Sequence, residues 1–384
     1  MAAQPDIMNE AASIPLNEKL ISTTLTLHDG TTIPLVGLST FDTNNNASAQ
    51  DSDQSKKKET EFRDAILFAV RNGYRHIDTA QTYGTESAVG EAVKMLIAQN
   101  VIKREDVFLT TKVAQNKRKP DEIRECIEQS LKELQVEYID LMLIDSPHSN
   151  SLSGAKGNDV IDLYKILHEY KAKGKIKSVG VCNFGVKHLE ILEKSCPDLA
   201  VPSCNQIECH PFRQETEVIQ YCQKKGIAIA SNCPTGSAKD DIETNSVLNE
   251  IAKQYNKTCS QIMLRWQVQR GFVLLPASVI PKQIKENGEV FDFELSEDDM
   301  TKLNALKSDS TTSTLNSSDT AWDDNYPTMH KWSRDNSFEL KFEHYDETDA
   351  DPSVSDTGKG KKAESEISVN PQLAAKTVRM NDGR

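Results

Sequence analysis

The sequence lacks any run of about 20 consecutive apolar residues, the length that a membrane-spanning helix needs. The N-terminal segment also lacks the apolar core of a secretory signal peptide. The 8 cysteines are scattered, and no two of them show the CxxC spacing of a metal or redox site. These absences favour a reduced chain, and we expect a cytoplasmic location without a membrane anchor.

Basic residues are outnumbered, because 45 Lys and Arg stand against 58 Asp and Glu and give a net charge of −13. An acidic chain is repelled by nucleic acid and by anionic membrane surfaces. We therefore expect neither nucleic acid nor a membrane among its partners. The charge balance says nothing about a small-molecule substrate.

An ordered pattern begins near residue 21 with TLTLHDGTTIPLVGL, whose polar and apolar residues alternate around Asp29-Gly30. This alternation predicts a β-hairpin that caps one end of the molecule. Short apolar strands and amphipathic helices then alternate as far as residue 309, and the first of these helices is expected over Glu61–Asn72. We predict seven strands and a weaker eighth: Tyr74–Asp78, Val107–Val113, Ile139–Asp145, Ile176–Asn183, Asn205–His210, Ile227–Cys233, Phe272–Ser278 and, less strongly, Glu289–Phe291.

The predicted strands are apolar almost throughout, which indicates a parallel sheet with both faces buried under helices. Repeated strand–helix units fit either an open doubly wound sheet or a closed (β/α)8 barrel. No GxGxxG motif follows the first predicted strand, which weakens the doubly wound alternative. We therefore predict an α/β protein with a (β/α)8 TIM barrel, an N-terminal β-hairpin cap and long polar tails.

Composition divides the chain into segments. Residues 1–20 are predicted to be an N-terminal tail and residues 21–309 the barrel. Residues 43–59, TNNNASAQDSDQSKKKE, are polar and are interpreted as a flexible insertion. Residues 310–345 are interpreted as a C-terminal loop region, and residues 346–384 are predicted to be disordered. The polar tails are candidates for contacts with protein partners.

The run GYRHIDTAQTYG, residues 73–84, carries the clearest chemical signal. It predicts a short buried strand that ends in Asp78, with Tyr83 on the loop that follows. A carboxylate at the C-terminal end of a strand, followed by a phenol, indicates proton-transfer chemistry at the mouth of a barrel. The run continues into TESAVGEAVK, with Glu86 and Gly90 at a fixed spacing. Over about residues 25–306 the sequence resembles the aldo-keto reductases, as a divergent member.

The resemblance implies that Tyr83 is the general acid when hydride reaches a carbonyl carbon. It also implies that Lys112, in FLTTKV, lowers the pKa of this phenol from its usual value of about 10 and pairs with Asp78. Taken singly, Asp78 fits a helix cap and Lys112 fits a surface residue. All three at strand ends facing one mouth favour the catalytic interpretation.

A fourth position departs from the family, which has a histidine where IDLMLIDSPHS has Asp145. The family histidine orients the carbonyl and donates to the developing oxyanion. An ionised carboxylate cannot donate, so Asp145 fits this role only when protonated in an apolar site. Within the family, a glutamic acid at this position accompanies reduction of conjugated enones. His148, three residues on, is a weaker substitute for the missing histidine.

The resemblance also implies a nicotinamide cofactor, either NADPH or NADH. Asn183 in SVGVCNF and Gln206 in NQIECHP would bind the nicotinamide carboxamide, with Cys182 where serine is commoner. Asn232 stands where the family has an aromatic ring that stacks on the nicotinamide. The remaining candidate cofactor contacts come from GLSTF and from LLPASVIPKQIKENGEVFDF: Thr40, Ser278, Glu286 and Asn287.

Two basic residues of the family's adenosine-phosphate motif are replaced by Ala277 and Gln283. A 2′-phosphate binds through charge-assisted contacts, so the usual preference for NADPH should fall or vanish. Lys282 and Lys285 lie nearby in the sequence and are potential substitutes.

Two hypotheses remain. The first is an NAD(P)H-dependent oxidoreductase that reduces a carbonyl or a conjugated enone. The second is a catalytically impaired barrel that acts as a ligand-binding or interaction protein. A metal-dependent hydrolase with Asp78, Asp145 and His148 as ligands is disfavoured, since few histidines follow strands; we expect no metal.

Overall fold

A computed structural model describes residues 16–41, 52–114, 119–147, 158–236, 242, 244–306 and 378–379 of the 384. Eight parallel strands follow one another around a single sheet in chain order. The strands are β3 (Leu38–Ser39), β4 (His76–Asp78), β5 (Phe108–Val113), β6 (Ile139–Ile144), β7 (Ile176–Cys182), β8 (Cys204–Glu208), β9 (Ala228–Asn232) and β10 (Val273–Leu275).

Backbone bridges close this sheet on itself. Val36 pairs with Leu274, and Ser39 pairs with Ala277, both in parallel. The first strand region therefore meets the last, and the sheet is a barrel rather than an open doubly wound sheet. The predicted (β/α)8 fold is confirmed, and the carboxyl ends of all eight strands share one mouth.

Helices connect the strands and cover the barrel. In the described ranges they are α1 (Glu18–Ser22), α2 (Ser52–Arg71), α3 (Glu86–Ala98), α4 (Pro120–Glu133), α5 (Asn158–Ala172), α6 (Val186–Ser195), α7 (Thr216–Lys225), α8 (Ser246–Tyr255), α9 (Cys259–Gln269), α10 (Pro281–Gly288) and α11 (Glu297–Asn304). The α4 helix shows why these segments are helical: Pro120 occupies its first turn, and Ile123, Ile127 and Leu131 recur on one buried face. None of the helices in the described ranges combines the length and the apolar composition needed to cross a membrane.

The predicted hairpin is present as two antiparallel strands, β1 (Thr24–Thr26) and β2 (Thr32–Pro34). Gly30 has a φ of +87°, a conformation that glycine adopts without steric cost, so it suits the turn between them. A third strand, β11 (Val378–Arg379), pairs with β1.

Asp29, in the hairpin turn, connects the hairpin to the barrel through hydrogen bonds. Its carboxylate accepts hydrogen bonds from Lys171 Nζ at 2.6 Å, Ser178 Oγ at 2.9 Å and Ser203 Oγ at 2.9 Å. Burial raises the pKa of Asp29, but the hydrogen bonds outweigh burial and hold this pKa well below its usual value. The cap is thus attached by an ionised carboxylate.

Three sequence expectations need correction. The eighth strand is β3 rather than Glu289–Phe291, which is not a strand and follows directly on α10, where the Glu289 N–H bonds to the Glu286 carbonyl. The helix expected from Glu61 begins at Ser52, so the last residues of the segment 43–59 are helical. Val378–Arg379 forms a strand within the segment 346–384, which we expected to be disordered throughout. The C-terminal loop region, residues 310–345, lies outside the described residues.

Candidate active site

Lys112 connects the predicted catalytic residues at the barrel mouth through hydrogen bonds. Its ammonium donates to both carboxylate oxygens of Asp78 at 2.9 Å each, to the Thr79 carbonyl at 3.0 Å and to the Tyr83 hydroxyl at 3.1 Å. Asp78 ends β4, Lys112 lies near the end of β5, and Tyr83 ends a 3₁₀ turn over Gln81–Tyr83. The structure therefore brings together the three residues that the sequence predicted to lie at one mouth.

The Asp78–Lys112 pair is fully buried, with side-chain exposures of 1% and 0%. Burial lowers the pKa of Lys112, but Asp78, with smaller contributions from Tyr83, Cys182 and Asp145, together raises it more, and the net pKa is above the usual value. Lys112 is therefore a permanent cation. Its charge lies over the Tyr83 ring, since its Nζ is 4.6 Å from the ring centre.

The electrostatics of Tyr83 differ from the expectation. Burial raises the pKa of the phenol, Lys112 lowers it, and Asp78, Asp145 and Cys182 raise it again, so the net pKa is above its ordinary value of 10.0. Lys112 acts in the expected direction, but burial outweighs it. Tyr83 is consequently a protonated phenol at neutral pH, in the form that can donate a proton.

Two further side chains hold Asp78. Ser39 Oγ donates to Asp78 Oδ2 at 3.2 Å, and Gln206 Nε2 donates to Asp78 Oδ1 at 2.8 Å. We did not predict the Ser39 contact from the sequence; the serine in GLSTF was its only signal. Gln206 Oε1 also accepts a hydrogen bond from the Cys182 thiol at 3.8 Å. Both the oxygen and the nitrogen of this amide, which was expected to bind nicotinamide, are therefore hydrogen-bonded within the protein.

Asp145 lies at the same mouth, just beyond β6. Its Oδ2 is 3.5 Å from Thr82 Oγ1, which is a long contact, and its backbone carbonyl accepts from Asn183 Nδ2 at 3.4 Å. The side chain is buried, and its charge raises the pKa of Tyr83. Asp145 therefore stands close enough to influence the phenol. His148 lies outside the described residues.

Two of the predicted cofactor contacts, Asn183 and Thr40, have different surroundings. Asn183 follows β7 with a φ of +65°, and its Nδ2 lies 3.1 Å from Cys182 Sγ. Thr40 is fully buried, and its hydroxyl pairs with Thr85 Oγ1 at 2.7 Å. The Thr40 hydroxyl therefore connects two loops at the mouth and is not free to bind a ligand.

The predicted adenosine contacts lie before and within α10. Ser278 Oγ donates to Gln283 Oε1 at 2.9 Å and accepts from the Ile280 N–H at 3.0 Å. Glu286, which is partly exposed, lies 3.8 Å from the ammonium of the largely exposed Lys282, and Asn287 is partly exposed on the same helix. Ala277 is exposed at the end of β10. This region combines neutral polar groups and a carboxylate with exposed lysines.

One buried atom tests whether the mouth fits a nicotinamide nucleotide. Asn232 Oδ1 is buried and has no hydrogen-bond partner in the part of the chain that the structure describes. Buried acceptors in proteins are nearly always satisfied, so an unpaired one at a mouth fits a ligand that carries N–H or O–H groups. A nicotinamide nucleotide carries both. Across the described ranges, no group of three or more His, Cys, Asp and Glu side chains is arranged to hold a metal ion.

Comparison with known proteins identifies the family to which this chain belongs. The model of the aldo/keto reductase family matches residues 36–308. The chain belongs to the aldo-keto reductases. It is similar to estradiol 17 beta-dehydrogenase 5 of Mus musculus, with 36% identity over 304 residues that cover 74% of this chain and 91% of that protein. It is also similar to an uncharacterized oxidoreductase of Schizosaccharomyces pombe, with 39% identity over 250 residues, covering 65% and 86%.

Solved structures agree with this assignment. An aldo-keto reductase from a deep-sea metagenome library has a TM-score of 0.65 and 32% identity, and the match covers 74% of this chain and 94% of that one. The aldose reductase of Schistosoma japonicum has a TM-score of 0.64 and 30% identity, covering 74% and 92%. The fold and the family of this aldo-keto reductase are therefore established together.

Proposed function

We propose that this aldo-keto reductase reduces a carbonyl or a conjugated enone with NADH or NADPH, and that Tyr83 is its general acid. The observation that carries the proposal is the hydrogen-bonded chain from buried Asp78 through buried Lys112 to half-buried Tyr83, with links of 2.9 and 3.1 Å. A bound reduced nicotinamide nucleotide supplies the hydride. The protein supplies the proton and the electrostatic setting for its transfer.

Proton donation leaves a phenolate on Tyr83. Lys112 stabilises that phenolate directly at 3.1 Å, and the charge on Lys112 is in turn held in place by Asp78. Ser39 and Gln206 also donate hydrogen bonds to the Asp78 carboxylate, which helps to hold the carboxylate beside the ammonium. The arrangement therefore favours the transition state more than the ground state, as an acid catalyst requires.

We propose that Asp145 is the orienting group in its protonated form. A carboxylate beside a developing oxyanion repels it, whereas a carboxylic acid donates a hydrogen bond to it. Its position near Thr82 and Asn183 supports a role at the reacting end of the substrate. Relatives are named estradiol 17 beta-dehydrogenase and prostaglandin F synthase, which supports a largely apolar substrate with a carbonyl or enone.

We propose that NADH and NADPH bind with similar affinity. The absence of cations at Ala277 and Gln283 removes contacts that a 2′-phosphate needs, and the nearby Glu286 carboxylate favours ribose hydroxyls. Ser278 and Asn287 add neutral contacts. Lys282 is paired with Glu286 and is largely exposed, so it is a weak replacement for the missing cations.

The alternative, a catalytically impaired barrel that binds ligands or partners, is favoured by the charge of Asp145 beside Tyr83. Oxidation of NADH and NADPH with a panel of aldehydes, quinones and enones separates the two functions. In a reductase, Tyr83→Phe lowers kcat by about 10²–10⁴-fold with unchanged nucleotide affinity. Tyr221→Phe, which removes a hydroxyl bonded to Glu193 on the surface, is the matched control and keeps full activity. Turnover that survives Tyr83→Phe, or is absent from the wild type, contradicts the proposal.

A further inference from the structure

Asn232 is the last residue of β9, and strand register fixes the direction of its side chain. Gln206 pairs with Ala230, and Glu208 pairs with Asn232, in the parallel ladder between β8 and β9. Paired residues on neighbouring parallel strands face the same side, and alternate residues along a strand share a face. Gln206 points into the barrel, where it reaches Asp78. Asn232 therefore faces the barrel interior one layer nearer the mouth.

The amide of Asn232 is incompletely satisfied in that position. Its Oδ1 is buried and accepts no hydrogen bond from the residues that the structure describes. By contrast, the buried amide of Asn205, on the adjacent strand, donates to the Phe184 carbonyl at 2.8 Å and accepts from the Phe184 N–H at 3.3 Å. An unpaired buried oxygen destabilises the protein unless a ligand restores the bond.

Which reactant can restore this hydrogen bond depends on the donors and acceptors that each reactant carries. The reacting end of a carbonyl or enone substrate offers an oxygen acceptor, which cannot pair with Oδ1. A nicotinamide nucleotide offers donors, namely the N–H groups of its carboxamide and the hydroxyls of its ribose. The nearby Gln206 amide is already engaged by Asp78 and Cys182, whereas the buried Oδ1 of Asn232 is available as an acceptor for the ligand.

We propose that Asn232 binds the nicotinamide nucleotide by accepting a hydrogen bond on Oδ1 from a donor of the bound cofactor. This rests on the proposed function. In this chain a polar contact thus takes the place of an aromatic stack. The free protein carries an unsatisfied oxygen, and binding of the cofactor satisfies it.

The test replaces Asn232 with leucine, which has nearly the same size and no polar atoms. The Kd for NADH, measured by fluorescence titration of the full chain, should rise roughly tenfold because one hydrogen bond is lost. The Tm of the nucleotide-free protein should rise by about 2–4 °C because the unpaired buried oxygen is gone. Weaker binding together with higher stability is a combination that a purely structural residue does not produce.

Asn72→Leu is the matched control. Its buried amide donates to the Phe68 carbonyl at 2.8 Å, next to the end of α2 and far along the chain from β9. This variant should lower the Tm and leave the Kd unchanged. If the wild type binds NADH and Asn232→Leu binds equally well or is less stable, the assignment of Asn232 is wrong while the reductase proposal stands. If the wild type binds neither NADH nor NADPH, both fall.

Discussion

Replacing Lys112 with methionine tests the buried charge pair on which the site is built. Methionine keeps the length of the side chain and removes its charge. The Asp78 carboxylate then remains buried with only Ser39 and Gln206 as partners. Removing one partner of a buried ion pair costs about 3–5 kcal/mol, because an uncompensated charge is left in a low dielectric. We expect the free energy of unfolding to fall by that amount.

A second variant separates charge from packing. In Asp78→Asn/Lys112→Met both charges are gone, and the new amide keeps a hydrogen-bond acceptor for Gln206 or Ser39. Neutral replacement of a buried pair is often nearly without cost, so the double variant should regain most of the lost stability. Both variants should lose turnover, because neither can stabilise a Tyr83 phenolate.

Urea unfolding followed by circular dichroism measures these free energies. The pKa of Lys112 is raised in the folded state, so its contribution is complete below its unfolded value and is lost only as the pH rises through the folded pKa. The wild type should therefore show the same Lys112 contribution throughout about pH 6–9. If Lys112→Met lowers the free energy of unfolding by less than about 1 kcal/mol, the predicted cost of an uncompensated buried charge is wrong. The same holds if the double variant is no more stable than the single one.

Three further predictions concern other parts of the chain. Asp145→Asn keeps a hydrogen-bond donor in place of the proposed carboxylic acid, so kcat should stay close to the wild-type value, whereas Asp145→Ala should lower it, as steady-state rates will show. Arginine at Ala277 and at Gln283 should tighten NADPH binding about tenfold per site and leave NADH unchanged, as calorimetry will show. Asp29 has a folded pKa below its usual value of 3.8, so it stabilises the fold above that pH and loses its effect as the pH falls. Urea unfolding of Asp29→Asn should therefore show lower stability at neutral pH and a flatter decline in acid.

The local motif accounts for most of what the sequence predicted correctly. Asp78 and Tyr83 are five residues apart, and Lys112 lies on the next strand, so parallel pairing alone brings the three together. The strand pattern predicted a parallel sheet covered by helices, and the absence of a GxGxxG motif after the first predicted strand favoured the closed barrel over an open sheet.

What the sequence did not predict depends on residues far apart in the chain or on very short elements. The contact of Gln206 with Asp78 joins residues 128 positions apart. Strand β3 has two residues, too few to show a period, whereas Glu289–Phe291 is apolar enough to imitate a strand. The net pKa of Tyr83 depends on burial by several strands, so the expected lowering by Lys112 was only one part of the balance.

Hydride transfer from the nicotinamide nucleotide to a carbon of the substrate can be followed with an isotope label. NADH and NADPH carrying two deuterium atoms at C4 of the dihydronicotinamide ring are incubated with the wild type and the aldehydes and enones of the panel, and the products are analysed by mass spectrometry. We expect a product that carries deuterium on carbon, formed by the wild type and by Tyr221→Phe but not by Tyr83→Phe. Products without the label across all these aldehydes and enones, despite bound nucleotide, would contradict the proposed hydride transfer.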